Sequence, residues 1–181
     1  RGRVEAVVLE DLRASAEPLV ITGYAGLDRI LDFLSELPPE RPARILLGHE
    51  PYPSRRDHYR LSGMDLGTEI EHYWLAQGIS LERSARLIAV IEGLRAGRFR
   101  AAILEGDRSL HAKLYVGDGA ITLGSSNFSD SGLRLQHEAN ARFTLAAEPE
   151  RYGEARQLAE NYWARAEDYG PRLIDLLRQL L

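Results

Sequence analysis

The stretch Leu110-His-Ala-Lys-Leu-Tyr-Val-Gly-Asp-Gly-Ala-Ile-Thr-Leu-Gly-Ser-Ser-Asn-Phe128 decides how the rest of the chain is read. Two apolar runs flank Asp118-Gly119, and Asp-Gly between such runs signals a two-residue hairpin turn. Along an extended strand, alternate side chains share a face. His111, Lys113 and Tyr115 are therefore expected on one face, with Leu110, Ala112, Leu114 and Val116 on the other, against a core. Counting outward from the turn pairs Val116 with Ile121, Leu114 with Leu123 and Lys113 with Gly124. His111 then falls opposite Ser126, between Ser125 and Asn127. One hairpin so gathers an imidazole, an ammonium, hydroxyls and a carboxamide, a cradle for a phosphate with a nucleophile in it.

Upstream, Val4–Leu9 reads as a short strand and Leu19–Tyr24 as a buried one. Leu27, Ile30, Leu31 and Leu34 recur at helical spacing, so Gly26–Leu37 is expected as a helix, stopped by Pro38-Pro39. Ala43–Gly48 is another buried strand, and the connection is long enough for a parallel crossover. Glu50–Gly67 breaks the pattern with Pro51, Pro53 and the cluster Arg55, Arg56, His58 and Arg60, and reads as a long surface loop. A helix is expected from Thr68 to Gln77, and another over Leu81–Ala96 with Leu87, Ile88, Ile91 and Leu94 inward and Gly97 at its end. Phe99–Leu104 is a strand that leads into the hairpin.

Downstream, Gln136–Leu145 alternates as a strand. Glu148–Asp168 is expected to be helical, with Tyr152, Ala155, Leu158, Ala159, Tyr162 and Trp163 as its apolar stripe. Gly170-Pro171 restarts a last helix with Leu173, Leu177 and Leu180 on one face, which core, dimer surface or a link to a further domain would each explain.

The 181 residues amount to one domain, 1–181, with 44% apolar and 28% charged residues. No apolar run approaches the ~20 residues of a membrane span. No signal or lipidation motif appears, and a cytoplasmic location without membrane contact is the expectation. Without cysteine there is neither disulfide nor thiolate zinc ligation. No His-Glu-x-x-His spacing occurs, so neither a metal nor another cofactor is expected. His49, His72 and His137 read as structural or surface residues, and Trp74 and Trp163 as core. The net charge of −4 argues against coating nucleic acid by bulk electrostatics, but leaves room for a local basic groove. Arg55, Arg56 and Arg60 are candidates for such a groove, a solvated loop being the plainer account. The chain starts at Arg1 rather than methionine, which suggests a domain cut from a longer protein.

His111-x-Lys113-x4-Asp118 followed by Gly124-Ser125-Ser126-Asn127 and Glu138 resembles the HKD motif of the phospholipase D superfamily, in the form found in its small single-motif nucleases. The segment between Asp118 and Gly124 is one residue shorter here, and everything after it shifts together. The layout, with Val20-Ile-Thr-Gly-Tyr24 and Ile45-Leu-Leu-Gly48, also resembles the phospholipase D-like domain at the N-terminus of DEAD/DEAH-type helicases and some restriction systems. The resemblance implies an α/β fold, a mixed sheet flanked by helices on both faces.

It also implies chemistry. His111 would attack phosphorus and form a phosphohistidine, splitting one hard step into two. Glu138 would fix the imidazole tautomer, Lys113 would neutralise phosphoryl oxygens, and Asn127 and Ser125 would donate hydrogen bonds to them, each such donor being worth roughly 3–4 kcal/mol in the transition state. Ser126, with the arginines, joins the substrate-binding candidates. Asp118 carries the motif's third letter, yet a turn aspartate that caps backbone amides is the simpler reading. The superfamily places two motifs around one site and this chain supplies one, so an active enzyme is expected to be a homodimer, with the partner's imidazole as general acid. The expected activity is that of a metal-independent phosphodiesterase, foremost a nuclease with DNA favoured as substrate. The alternative is a catalytically silent DNA-binding or dimerisation module of a larger helicase or restriction protein.

Overall fold

The computed structural model describes residues 3–49, 51, 81–104, 110–129, 132–133 and 138–181. The cluster Arg55, Arg56, His58 and Arg60, the helix expected at Thr68–Gln77, and His72, Trp74 and His137 lie outside the described residues. In chain order the elements are α1 (Arg3–Ala14), β1 (Leu19–Thr22), α2 (Leu27–Glu36), β2 (Ala43–Leu47), α3 (Leu81–Arg95), β3 (Phe99–Ile103), β4 (Leu114–Val116), β5 (Ala120–Gly124), β6 (Asn140–Thr144), α4 (Pro149–Ala164), β7 (Glu167–Asp168) and α5 (Gly170–Arg178).

The strands form a single sheet in the order β6-β5-β4-β1-β2-β3-β7. β1, β2 and β3 run parallel, and every other pairing is antiparallel. Helices cover both faces. Val20, Ile45, Leu47, Phe99 and Tyr115 point to one side and pack with α1, α2, α3 and α5. Leu19, Ile21, Leu46, Leu114, Val116 and Ile121 point to the other and meet Tyr152, Ala155 and Ala159 of α4. Strands buried on both faces read as continuous apolar runs, which is why Leu-Val-Ile-Thr and Ala-Arg-Ile-Leu-Leu are legible as strands. Arg44 is the charged exception in β2. Its guanidinium donates to both carboxylate oxygens of Glu160 on α4, at 2.8 and 2.7 Å, which raises its pKa and lowers that of Glu160. It also lies over the half-buried Trp163 ring, 5.2 Å from the centroid.

The hairpin register is the expected one: Val116 pairs with Ile121 and Leu114 with Leu123. Several expectations need correction. Val4–Leu9 is helix rather than strand, because the apolar positions Val4, Val8, Leu9 and Leu12 form a stripe of helical period that only a longer window reveals. In α3 the inward set is Leu87, Val90, Ile91 and Leu94, while Ile88 is exposed. Leu158 likewise faces out of α4. The helix ends at Ala164, and Glu167–Asp168 pairs with β3 as an edge strand. Leu173, Leu177 and Leu180 are buried, so the final helix belongs to the core. Gly97 ends α3 at φ +71°, a conformation suited to glycine.

Candidate active site

β1 has a parallel neighbour on one side, β2, and an antiparallel one on the other, β4. In open α/β sheets ligands bind outside the carboxyl ends of the strands. The hairpin's amino-terminal arm crosses there. A Cβ at Gly48, just beyond β2, would lie 2.3 Å from the Leu110 carbonyl oxygen, and one at Gly23, just beyond β1, would lie 2.9 Å from the same atom. The backbone before His111 is seated on two glycines that end two parallel strands. The same Gly23 Cβ would lie 3.6 Å from Cδ2 of the His111 ring, so the imidazole sits directly over the end of β1. His111 is exposed and makes no side-chain hydrogen bond among the described residues.

Lys113 is only 2% exposed. Its ammonium donates to the His111 carbonyl oxygen at 2.6 Å, which leaves two N–H groups for other acceptors. Burial pushes its pKa below the ordinary lysine range, and the Glu138 carboxylate opposes that shift. Tyr115, the next residue on that face, is buried, and burial pushes its phenol pKa upward. Its hydroxyl donates to the Ser126 carbonyl at 2.6 Å and braces the far arm of the hairpin. The face expected to be polar and open is therefore roofed at Tyr115 and Lys113 and opens at His111.

Asn127 is held by β1. The Tyr24 N–H donates to its Oδ1 at 3.3 Å, and the Thr22 hydroxyl lies 3.5 Å from the same atom. Thr22 itself donates to the Tyr24 carbonyl and accepts from the Phe128 N–H. A bond from a backbone N–H requires oxygen at that position, so the amide nitrogen of Asn127 faces the other way, with its protons unspent among the described residues. Ser129, whose N–H donates to the Asn127 carbonyl at 2.8 Å, closes the turn behind it.

The two serines stand differently from the sequence expectation. The exposed Ser125 hydroxyl accepts from the Ala139 N–H and donates to the Ala139 carbonyl. Ser126 is buried and its hydroxyl accepts from the Asn140 amide at 2.8 Å. Both tie the hairpin to the segment carrying Glu138, and Ser126 is buried there. Glu138 is half-buried, and no hydrogen bond joins it to His111 among the described residues. Asp118 lies at the opposite end of the sheet, since β4 runs antiparallel to β1 and Val116 pairs with Leu19 at the start of that strand. Its carboxylate accepts from the Ala16 N–H at 2.7 Å, as the capping reading expects.

The structure thus gathers His111, Lys113, Asn127 and Glu138, with Ser125 and Ser126 in support, and separates Asp118 from them. Sequence reasoning missed Thr22, Tyr24, Gly48 and Asn140. The available signal was position: Thr22-Gly23-Tyr24 and Gly48 directly follow buried parallel strands, where crevice residues fall. Among the described residues, no group of three or more histidine or acidic side chains is placed to hold a metal ion. None of their helices is long and apolar enough to cross a membrane.

The fold is a phospholipase D-like α/β arrangement. Over 92% of this chain it superposes on 91% of NucT from Helicobacter pylori, with a TM-score of 0.54 at 10% identity. Phosphatidylserine synthase from Haemophilus influenzae Rd KW20 matches 89% of this chain at 14% identity and a TM-score of 0.54, over 35% of its own length. TrmBL2, an archaeal chromatin protein with a described mode of DNA binding, matches 92% of this chain at 13% identity and a TM-score of 0.50, over 50% of its own. At these identities the likeness is one of fold. No protein-family model and no curated protein matches the sequence.

Proposed function

We propose that this domain is a phosphodiesterase acting on nucleic acid through a covalent phosphohistidine at His111. The observation that carries the reading is the seat of His111. It is an exposed imidazole, free of side-chain hydrogen bonds among the described residues, packed over Gly23 beside a buried ammonium and an oriented carboxamide. The imidazole nitrogen attacks phosphorus and the P–O bond to the leaving alkoxide breaks. Water then attacks the phosphohistidine and returns the imidazole. Lys113 and the Asn127 amide meet the charge on the phosphoryl oxygens, in a setting where a fixed donor counts for more than in water. Glu138 accepts from the imidazole once substrate draws the two together.

One imidazole cannot attack from one side and protonate the leaving group from the other. The second role falls to His111 of a second copy, which makes the working unit a homodimer. A DNA-binding protein among the fold neighbours supports nucleic acid as substrate. The neighbour named as a phosphatidylserine synthase supports chemistry at phosphorus on this scaffold.

The test is hydrolysis of DNA and RNA oligonucleotides by the wild type and His111→Ala, with and without chelator. Wild-type activity is expected to persist in chelator and to fall by about 10³-fold or more in the variant, the usual cost of removing a covalent nucleophile. Quench of the wild type in alkaline denaturant, which spares the acid-labile P–N bond, is expected to trap a nucleotidyl phosphate adduct on His111. Loss of activity on chelation, or a fully active His111→Ala, overturns the proposal. A chain that binds DNA and never forms the adduct is a binding or dimerisation module.

A further inference from the structure

Beside the phosphate cradle stands an aromatic pair that the chemistry above does not use. Tyr24 and His49 stack with ring centroids 4.4 Å apart and planes 13° from parallel. They follow the paired parallel strands β1 and β2, two residues past Thr22 and Leu47 respectively, whose Cα atoms are partners. Tyr24 is 39% exposed, although its neighbours in sequence, Gly23 and Ala25, belong to the packed end of β1. His49 stacks on one face of the phenol ring, and Tyr24 stays exposed despite that cover. The position is not incidental to the site: the Tyr24 N–H orients Asn127, and the Gly23 Cβ position lies 3.6 Å from the His111 ring.

We infer that the Tyr24–His49 stack is a nucleobase platform and that the substrate of this site is single-stranded nucleic acid. This rests on the phosphodiesterase reading and narrows it. Every base has a π-face, so an exposed ring beside a phosphate contact binds a flanking base with little regard to sequence. A base inside a duplex has both faces covered by its neighbours and cannot stack on Tyr24 unless it is unstacked, at a cost of a few kcal/mol. A lipid headgroup or a polyphosphate offers no ring at all. His49 beneath Tyr24 stiffens the platform by holding one ring flat against the other, so less side-chain freedom is lost when a base lands.

The experiment compares three substrates of one length: a single-stranded oligonucleotide, its duplex, and the same strand with abasic residues flanking the scissile bond. Wild type, Tyr24→Phe and Tyr24→Ala are assayed for hydrolysis, and their affinities are read by fluorescence anisotropy in the His111→Ala background. The wild type is expected to prefer the base-bearing single strand over both others. Tyr24→Phe is expected to keep that preference, and Tyr24→Ala to reduce it about tenfold in kcat/KM and in affinity, the scale of one lost base stack. The proposal is overturned if Tyr24→Ala leaves the preference intact, if it weakens all substrates equally, or if duplex is the better substrate. Should nothing be hydrolysed, the catalytic reading fails alone. The anisotropy arm then decides the platform, and absence of any base-dependent binding there overturns it.

Discussion

At the turn of the hairpin, Asp118 accepts from the Ala16 N–H, its own N–H donates to the Ser15 hydroxyl, and the Tyr152 hydroxyl lies 2.9 Å from the carbonyls of both Gly117 and Asp118. At the other end of the same arm, His111 has no side-chain partner among the described residues, Lys113 uses one of three protons, and Asn127 uses its oxygen and keeps its nitrogen. The turn end has closed its polar groups onto the protein. The far end has fixed the positions of its polar groups and left donors over. Fixed position with unspent hydrogen-bonding capacity is what a preorganised site requires, and a fully satisfied cluster is what a structural joint requires. His111 and Lys113 fall on one side of this contrast and Asp118 on the other.

Lys113 tests the contrast most severely. A lysine that is 2% exposed sits where a methionine of similar length would cost nothing in desolvation. In Lys113→Met the expected loss in kcat is on the order of 10³-fold, while the thermal midpoint holds or rises. The pH dependence has a definite sign. The folded pKa of Lys113 lies below the ordinary lysine value of 10.5, because burial disfavours the ammonium. In the window between the two values the unfolded chain binds more protons, so stability from this group rises with pH there. The stability gap between Lys113→Met and wild type is therefore expected to be full well below the folded pKa, and to shrink as pH climbs through it towards 10.5. Melting curves at several alkaline pH values measure it. A variant less stable than wild type at every pH would make Lys113 part of the joint rather than of the site.

Asn127 tests the contrast at one atom. Asn127→Asp keeps an oxygen for the Tyr24 N–H and replaces the unspent donor by a second oxygen that repels phosphate. The expected outcome is a loss of about 10²-fold in kcat, with a melting temperature within a few degrees of wild type. If the loss appears only as a lower melting temperature, the amide nitrogen is not facing substrate.

How much of this was legible in the chain follows from the same physics. Hairpin register could be read from Asp118-Gly119, because the turn type and a period of two leave no choice once the turn is placed. β1 and β2 were legible because strands covered on both faces need unbroken apolar runs. Val4–Leu9 was misread because six residues sample less than two helical turns, and the stripe that settles the matter runs on to Leu12. The nearness of His111 and Lys113 was legible from their spacing in the chain, and the Lys113 ammonium does reach the His111 carbonyl. The roofing of that face was not, since a second helical layer is a property of residues far along the chain. Tyr24 and Asn140 act through contacts with Asn127 and Ser126, more than 100 and 14 positions away, and no local pattern carries such pairings.

Asp118 gives the smallest expected effect and the sharpest control. In Asp118→Ala the Ala16 N–H loses its acceptor at the solvent-exposed joint between α1 and β1, which costs about 1 kcal/mol of stability. For a domain of this size that is roughly 2–4 °C in melting temperature. Asp118→Asn keeps an oxygen for the same N–H and is expected to recover most of the loss. Well below the melting transition, kcat in either variant is expected to stay within about twofold of wild type, as for surface changes remote from a site. Calorimetry and steady-state hydrolysis on the same samples separate the two. A kcat loss approaching that of Asn127→Asp, without a matching fall in melting temperature, would mean that the carboxylate acts on the chemistry across the length of the sheet. The division of labour along β4 would then be wrong at its clearer end, because among the described residues the strand itself is what joins the Ala16–Ser15 joint to His111.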